Sequence, residues 1–77
     1  MARKILIVED SADIAALVAL HLRDIDCEAE IASTGPSGLE KFRAGRFDLV
    51  ILDIMLPEMD GIALCRHIRA EIGRAHV

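Results

Sequence analysis

Two short, mainly apolar runs, each followed directly by acidic residues, constrain the fold of this chain more than any other feature. The first, Lys4–Val8 (KILIV), precedes Glu9 and Asp10, and the second, Phe47–Leu52 (FDLVIL), precedes Asp53. Continuous apolar runs of this length are typical of strands covered on both faces, as parallel sheets require. The sequence therefore predicts two buried, parallel strands with acidic side chains at their carboxyl ends.

The segment between the first apolar run and residue 26 has the periodicity of an amphipathic helix. Ser11–Ile25 repeats apolar residues every three or four positions, with Ser11 as the predicted N-cap and Asp13 in the first turn. The positions expected to face the core are Ile14, Leu17, Val18, His21, Leu22 and Ile25.

Two further helices are predicted downstream. Thr34–Ala44 is expected to be capped by Thr34 or Ser33 and to end at Gly45, with Leu39 and Phe42 facing inward. A loop over residues 53–61 then leads to a third helix, which is indicated by Ile62, Cys65, Ile68 or Arg69, and Ile72. Two histidines, His21 and His67, fall within predicted helices, and both are expected to have structural roles.

One remaining segment, Cys27–Ala32 (CEAEIA), alternates small or apolar residues with Glu28 and Glu30. This pattern favours a half-exposed edge strand, because charges on an edge discourage further pairing. The element order is then β-α-β-α-β-α in a single small α/β domain. A parallel sheet with right-handed crossovers and strand order 2-1-3 follows, which is the beginning of the flavodoxin-like order 2-1-3-4-5.

Composition and charge argue against several classes of protein. The 77 residues carry a net charge of −4, no basic cluster, and Phe42 and Phe47 as the only aromatic residues, so direct nucleic-acid binding by this segment is not expected. No apolar run approaches the ~20 residues of a membrane span, and no secretory signal is recognisable, so a cytoplasmic location is expected. Cys27 and Cys65 are predicted to be free, buried thiols.

The predicted strand order brings three carboxylates to one place. Glu9 and Asp10 follow the first strand and Asp53 follows the third, and these strands are expected to be neighbours. Carboxylates so close together repel each other unless a cation or a proton intervenes, and Mg²⁺ suits a site of this kind. Asp53 is the natural nucleophile, since attack by its carboxylate on a phosphoryl group would form an acyl phosphate. The alternative is that such residues only cap helices or lie solvated in loops.

Lys4–Asp10 (KILIVED) and Leu52–Gly61 (LDIMLPEMDG) together resemble the two most diagnostic stretches of response-regulator receiver domains, in the style of the transcription factors with a winged-helix output domain. The resemblance covers residues 2 to about 71. It implies a receiver of two-component signalling that takes a phosphoryl group from a sensor histidine kinase, and it does not imply an enzyme.

The resemblance also assigns roles to individual residues. It implies that Asp53 is the phosphoacceptor and that Glu9, Asp10 and Asp53 bind Mg²⁺, together with the backbone carbonyl of Met55. Pro57 and Gly61 would shape the loop after Asp53. Asp60 is expected to cap the third helix.

The chain departs from the family pattern at its end. Residues 1–72 are predicted to be a truncated receiver of three β/α units and residues 73–77 (GRAHV) a tail foreign to the family. The last two β/α units, with the Thr or Ser and the Lys that contact the phosphoryl group in the family, have no counterpart here. The third strand should then be an open apolar edge, which predicts a homodimer through that strand or through exposed helix faces.

Three functions of different classes stay open on the sequence alone. The first is the phosphoacceptor module, and the second is a self-associating half-domain that keeps the fold but is not competent for phosphorylation signalling. The third is a phosphatase of the haloacid-dehalogenase type, which would need a second Asp where this chain has Met55.

Overall fold

The computed structural model describes residues 2–53 and 61–75, and these form a three-stranded parallel sheet with helices on both faces. The strand order is β2-β1-β3, as predicted from the sequence. The elements in chain order are β1 (Arg3–Val8), α1 (Ala12–Asp24), β2 (Cys27–Ala32), α2 (Gly35–Ala44), β3 (Leu49–Leu52) and α3 (Gly61–Ala75). No helix in these described ranges is both long enough and apolar enough to cross a membrane.

The predicted caps of the first two helices are confirmed. The Ser11 hydroxyl accepts a hydrogen bond from the backbone N–H of Ile14 at 3.4 Å, and the Thr34 hydroxyl accepts one from Ser37 at 3.2 Å. These bonds satisfy amide groups that have no partner within their helices. Gly45 follows the last residue of α2 in an extended conformation, so the ability of glycine to adopt a left-handed backbone conformation is not needed there.

Two apolar clusters divide the core by sheet face. Ile5 and Ile7 point toward α1, where they pack with Ala15 and Ala19. The alternate residues of β1 point to the opposite face, where α2 and α3 cover them, and the buried members of that second cluster are Leu6, Val8, Ala32, Leu39, Leu64 and Ile68. β1 is therefore buried on both faces, as its continuous apolar sequence predicts.

The predicted inward face of α1 is wrong in part. Ile14, Leu17 and Ile25 are 53%, 56% and 69% exposed, and His21 is exposed as well. The fully buried positions are Ala15 and Ala19, with Val18 and Leu22 packed beside them. The small side chains of Ala15 and Ala19 let the helix lie close to the sheet, and Ile14 and Leu17 are turned outward.

Smaller differences affect β3, α3 and the cysteines. β3 begins at Leu49 and not at Phe47, because Asp48 pairs with the backbone of Lys4 outside the regular ladder. Within residues 62–71 of α3, Leu64 and Ile68 are buried, whereas Ile62 is 56% exposed. Cys27 and Cys65 are free, as predicted, but half-buried and not fully buried. α3 continues to Ala75, across residue 72, and the predicted domain boundary there stays a prediction.

Candidate functional site

The acidic site lies at the carboxyl edge of the sheet, where two backbone hydrogen bonds continue the ladders of β1. Val8 pairs with Leu52 on one side and with Ala32 on the other. One residue further on, the N–H of Asp53 donates to the Val8 carbonyl at 2.9 Å, and the N–H of Glu9 donates to the Ala32 carbonyl at 3.0 Å. The backbone thus places Glu9 beside Asp53, as the predicted strand order requires.

Three carboxylates meet at this edge. One carboxylate oxygen from each of Glu9, Asp10 and Asp53 lies within 4.8 Å of the others. Glu9 is the most buried of the three, Asp53 is half-buried and Asp10 is exposed. The cluster predicted from the sequence is therefore present, and it is accessible from solvent through Asp10.

One oxygen of the Glu9 carboxylate is buried, and its surroundings indicate that the site binds a cation. Glu9 Oε2 is inaccessible to solvent and has no hydrogen-bond partner within residues 2–53 and 61–75. A buried oxygen without a donor is costly unless a cation or a proton compensates it. Three carboxylates, one of which has an oxygen without a hydrogen-bond partner, fit Mg²⁺, because this ion prefers carboxylate oxygens and water as ligands.

The electrostatics of the cluster affect Glu9 most. Its pKa is raised above the ordinary value, first because only the protonated Glu9 carboxyl can hydrogen-bond to Asp53, then by burial and by the negative charges of Asp53 and Asp10. The backbone of Asp10 partly offsets this increase by hydrogen bonding to the ionised form. Without a cation, the site therefore favours a proton on Glu9.

An open cavity of about 420 Å³ adjoins the carboxylates. Its walls are apolar and come from β1, β3 and the first two turns of α1, with Ile14 and Val18 as the helix contribution. The sequence assigned these two residues to the core. The sequence does place both residues in the first two turns of the helix that follows Glu9 and Asp10. This closeness to the acidic residues could have indicated that they border the site.

The remaining predicted site residues fall at the boundary of the described chain. Gly61 is the first residue of α3, so it lies where the predicted loop ends. Met55, Pro57 and Asp60 lie outside the described residues, and their assigned roles stay predictions. His21 lies in α1 and His67 lies in α3, and both are exposed. Neither is adjacent in sequence to Glu9, Asp10 or Asp53.

The free energy of unfolding should depend on pH through Glu9. A carboxyl whose pKa is raised by folding keeps its proton while the unfolded chain loses one, so stability falls as pH rises from the ordinary pKa through the raised pKa. We expect Glu9→Gln to reduce this fall and to be more stable than the parent chain at neutral pH without divalent cations. Saturating Mg²⁺ should stabilise the parent and not the variant.

Urea unfolding at a series of pH values measures this difference. Glu28→Gln is the matched control, because it makes the same change at an exposed position of β2. Equal pH dependence in the parent chain and in Glu9→Gln would contradict the assignment to Glu9.

Comparisons with known proteins find similarity to response regulators. The family model described as the response regulator receiver domain matches residues 5–77. The response regulator ArlR of Staphylococcus saprophyticus is 42% identical over 66 residues, which cover 86% of this chain and 30% of that protein. The DNA-binding response regulator MtrA of Mycobacterium tuberculosis is 40% identical over 73 residues, 95% of this chain and 32% of that protein. The chain thus spans about a third of the length of these relatives.

Solved structures agree with the fold. The chemotaxis response regulator CheY4 of Vibrio cholerae has a TM-score of 0.90 at 33% identity, over 94% of this chain and 60% of that one. The response regulator TrrA of Thermotoga maritima, solved in complex with Mg²⁺-BeF, has a TM-score of 0.88 at 36% identity, over 90% of this chain and 60% of that one. These similarities confirm the partial flavodoxin-like architecture that the strand order indicated.

Proposed function

This chain belongs to the family of response regulator receiver domains, and on that premise we propose that Asp53 accepts a phosphoryl group from a histidine kinase in a Mg²⁺-dependent step. The observation that carries the proposal is the convergence of Glu9, Asp10 and Asp53 within 4.8 Å at adjoining strand ends. The protein would act as a phosphoacceptor in two-component signalling and not as an enzyme. A cytoplasmic location stays a prediction.

The proposed transfer uses one carboxylate as nucleophile. An oxygen of Asp53 would attack the phosphorus of a phosphohistidine, so that a P–O bond forms, the P–N bond breaks and the imidazole leaves with its electron pair. The backbone bond from the Asp53 N–H to Val8 fixes the position of the nucleophile at the strand end. The apolar walls of the adjoining open cavity would border one side of the reacting group.

Glu9 and Asp10 would hold the metal with Asp53, and the family resemblance adds the backbone carbonyl of Met55. When bound, Mg²⁺ would neutralise the negative charge that otherwise repels a phosphoryl group from this pocket. The buried Glu9 Oε2 supports this role, because it is an acceptor without a donor in the described chain. The solved relative in complex with Mg²⁺-BeF supports it by analogy.

Intact mass measurement after incubation with acetyl phosphate and Mg²⁺ tests the proposal. We expect one phosphoryl adduct on the parent chain, complete loss of that adduct in Asp53→Asn, and loss on chelation of the metal. Asp24→Asn is the matched control, since it makes the same change at an exposed residue in the last turn of α1. An adduct that persists in Asp53→Asn would refute the assignment, and a folded parent chain without any adduct would favour the self-associating half-domain.

A further inference from the structure

The sequence of β3 does not by itself determine how this strand is aligned with β1. All four of its residues, LVIL, are apolar. The alignment of a strand is normally specified by an apolar pattern that fits one face of the sheet and not the other, but here every shift exchanges one apolar residue for another. Backbone hydrogen bonds do not discriminate either, because each of these residues carries the same donor and acceptor. The alignment therefore depends on groups outside the strand.

The carboxylates that follow β1 and β3 oppose the observed alignment. In this alignment Val8 pairs with Leu52, and carboxylate oxygens of Glu9, Asp10 and Asp53 come within 4.8 Å of one another. Negative charges at this separation repel each other when neither a cation nor a proton is present. The alignment that assembles the site therefore requires an attachment elsewhere that offsets this repulsion.

Asp48 provides such an attachment at the opposite end of β3. Ile5 pairs with Leu49, so the residue opposite Lys4 is Asp48. The Asp48 N–H donates to the Lys4 carbonyl at 2.7 Å, and the Asp48 carboxylate oxygen Oδ2 accepts the Lys4 N–H at 2.8 Å. In an alignment shifted by one residue, Phe47 or Leu49 would lie opposite Lys4, and neither side chain can accept that N–H. The side-chain bond therefore discriminates between alignments.

The partner of the Asp48 carboxylate is the backbone of Lys4 and not its ammonium group. The Lys4 ammonium nitrogen lies 3.6 Å from a carboxylate oxygen of Glu30 in β2 and 5.2 Å from the centre of the Phe47 ring. The bond from Asp48 thus recognises a position along β1 and not the charge of residue 4. A carboxylate suits this role, because hydrogen bonds to an ionised acceptor are stronger than those between neutral groups.

We propose that Asp48 is a positioning residue for the reaction at Asp53, because its bond to Lys4 selects the alignment of β3 that holds the Asp53 carboxylate beside Glu9. The proposal rests on the phosphoacceptor function proposed above and adds a requirement at the other end of the sheet. β3 has only four residues and is extended, so an attachment directly before the strand fixes the residue directly after it.

Substitutions at residue 48 separate the geometry of this bond from its charge. Asp48→Asn keeps an oxygen acceptor at the same reach, whereas Asp48→Glu keeps the charge but moves it by one methylene group. With acetyl phosphate and Mg²⁺, we expect adduct formation at nearly the parent rate in Asp48→Asn. It should be about tenfold slower in Asp48→Glu and Asp48→Ala, because displacing an attacking group costs much of its rate. Parent-like rates in Asp48→Glu and Asp48→Ala would overturn the proposal.

Hydrogen exchange of two backbone amides tests the positioning without phosphorylation. The Asp53 N–H is bonded to Val8 across the β1–β3 pair, and the Glu9 N–H is bonded to Ala32 across the β1–β2 pair. In Asp48→Ala and Asp48→Glu we expect the Asp53 amide to exchange about tenfold faster, with the Glu9 amide unchanged. Asp24→Ala, at an exposed residue in the last turn of α1, should change neither amide.

The exchange measurement also separates this proposal from the function on which it rests. Equal acceleration of both amides would indicate a general loss of stability and would overturn the positioning role. A parent chain that forms no phosphoryl adduct would refute the phosphoacceptor function of this chain. In that case the ratio of the two exchange rates alone would support or overturn the control of Asp53 by Asp48.

Discussion

Leu64→Ala should lower the free energy of unfolding by about 2–5 kcal/mol. Leu64 is fully buried between α3 and the sheet, in the cluster that contains Leu6 and Val8. Truncation removes apolar surface from the core and leaves a cavity that the surrounding side chains fill only in part. Because single domains are stable by about 5–15 kcal/mol, a loss of this size would be a large fraction of the free energy of unfolding of a small domain.

Urea unfolding followed by circular dichroism measures this loss. Ile62→Ala is the matched control on the same helix, because Ile62 is 56% exposed and its truncation should change stability by only about 0.5 kcal/mol. Equal losses for the two variants would mean that α3 is not held to the sheet through Leu64.

Gly38→Ala should lower the free energy of unfolding by about 1–3 kcal/mol, although alanine favours helices over glycine by about 1 kcal/mol. A Cβ at residue 38 would lie 2.7 Å from Cγ2 and 3.1 Å from Cγ1 of Val8, so α2 or β1 must move. Val8 also supplies the carbonyl that accepts the Asp53 N–H. We therefore expect a lower yield of phosphoryl adduct as well as lower stability.

Two companion variants separate the steric effect from the substitution itself. Gly45→Ala makes the same change where the new Cβ would meet the edge of the Phe47 ring at 3.2 Å, a half-exposed side chain that can shift. Its effect should be smaller. The double variant Gly38→Ala with Val8→Ala should be less destabilised than the sum of its parts, because Val8→Ala removes both close contacts. Strict additivity would contradict the steric explanation.

The fold could be predicted from the sequence because its signals are local. The continuous apolar runs identify β1 and β3 as buried strands, the alternation in Cys27–Ala32 identifies an edge, and Ser11 and Thr34 mark helix starts. Strand order follows from these by the general rules of parallel sheets. The order β2-β1-β3 makes β1 and β3 neighbours, and this alone brings Glu9, Asp10 and Asp53 together. Most of the site could therefore be predicted as well.

The rest depends on tertiary distances that periodicity does not contain. Apolar periodicity in α1 favours Ile14 and Leu17 as core residues, but the helix buries Ala15 and Ala19 because small residues allow close approach to the sheet. Exposure of individual carboxylate oxygens is also a tertiary property. The pattern predicted an acidic site, but not that Glu9 Oε2 would be buried without a donor in the described chain.

The bonds at the two ends of β3 have a consequence for how a signal could leave the site. Asp48 is joined to Lys4 by backbone and side-chain bonds before the strand, and Asp53 is joined to Val8 after it. A slip of one residue would break both attachments and turn Asp53 to the other face of the sheet. β3 therefore holds Asp53 in a fixed position at the edge of the sheet. If Asp53 accepts a phosphoryl group as proposed, the resulting change would leave the site by a route other than sliding of β3, because a slide would break the bonds that hold Asp53 beside Glu9.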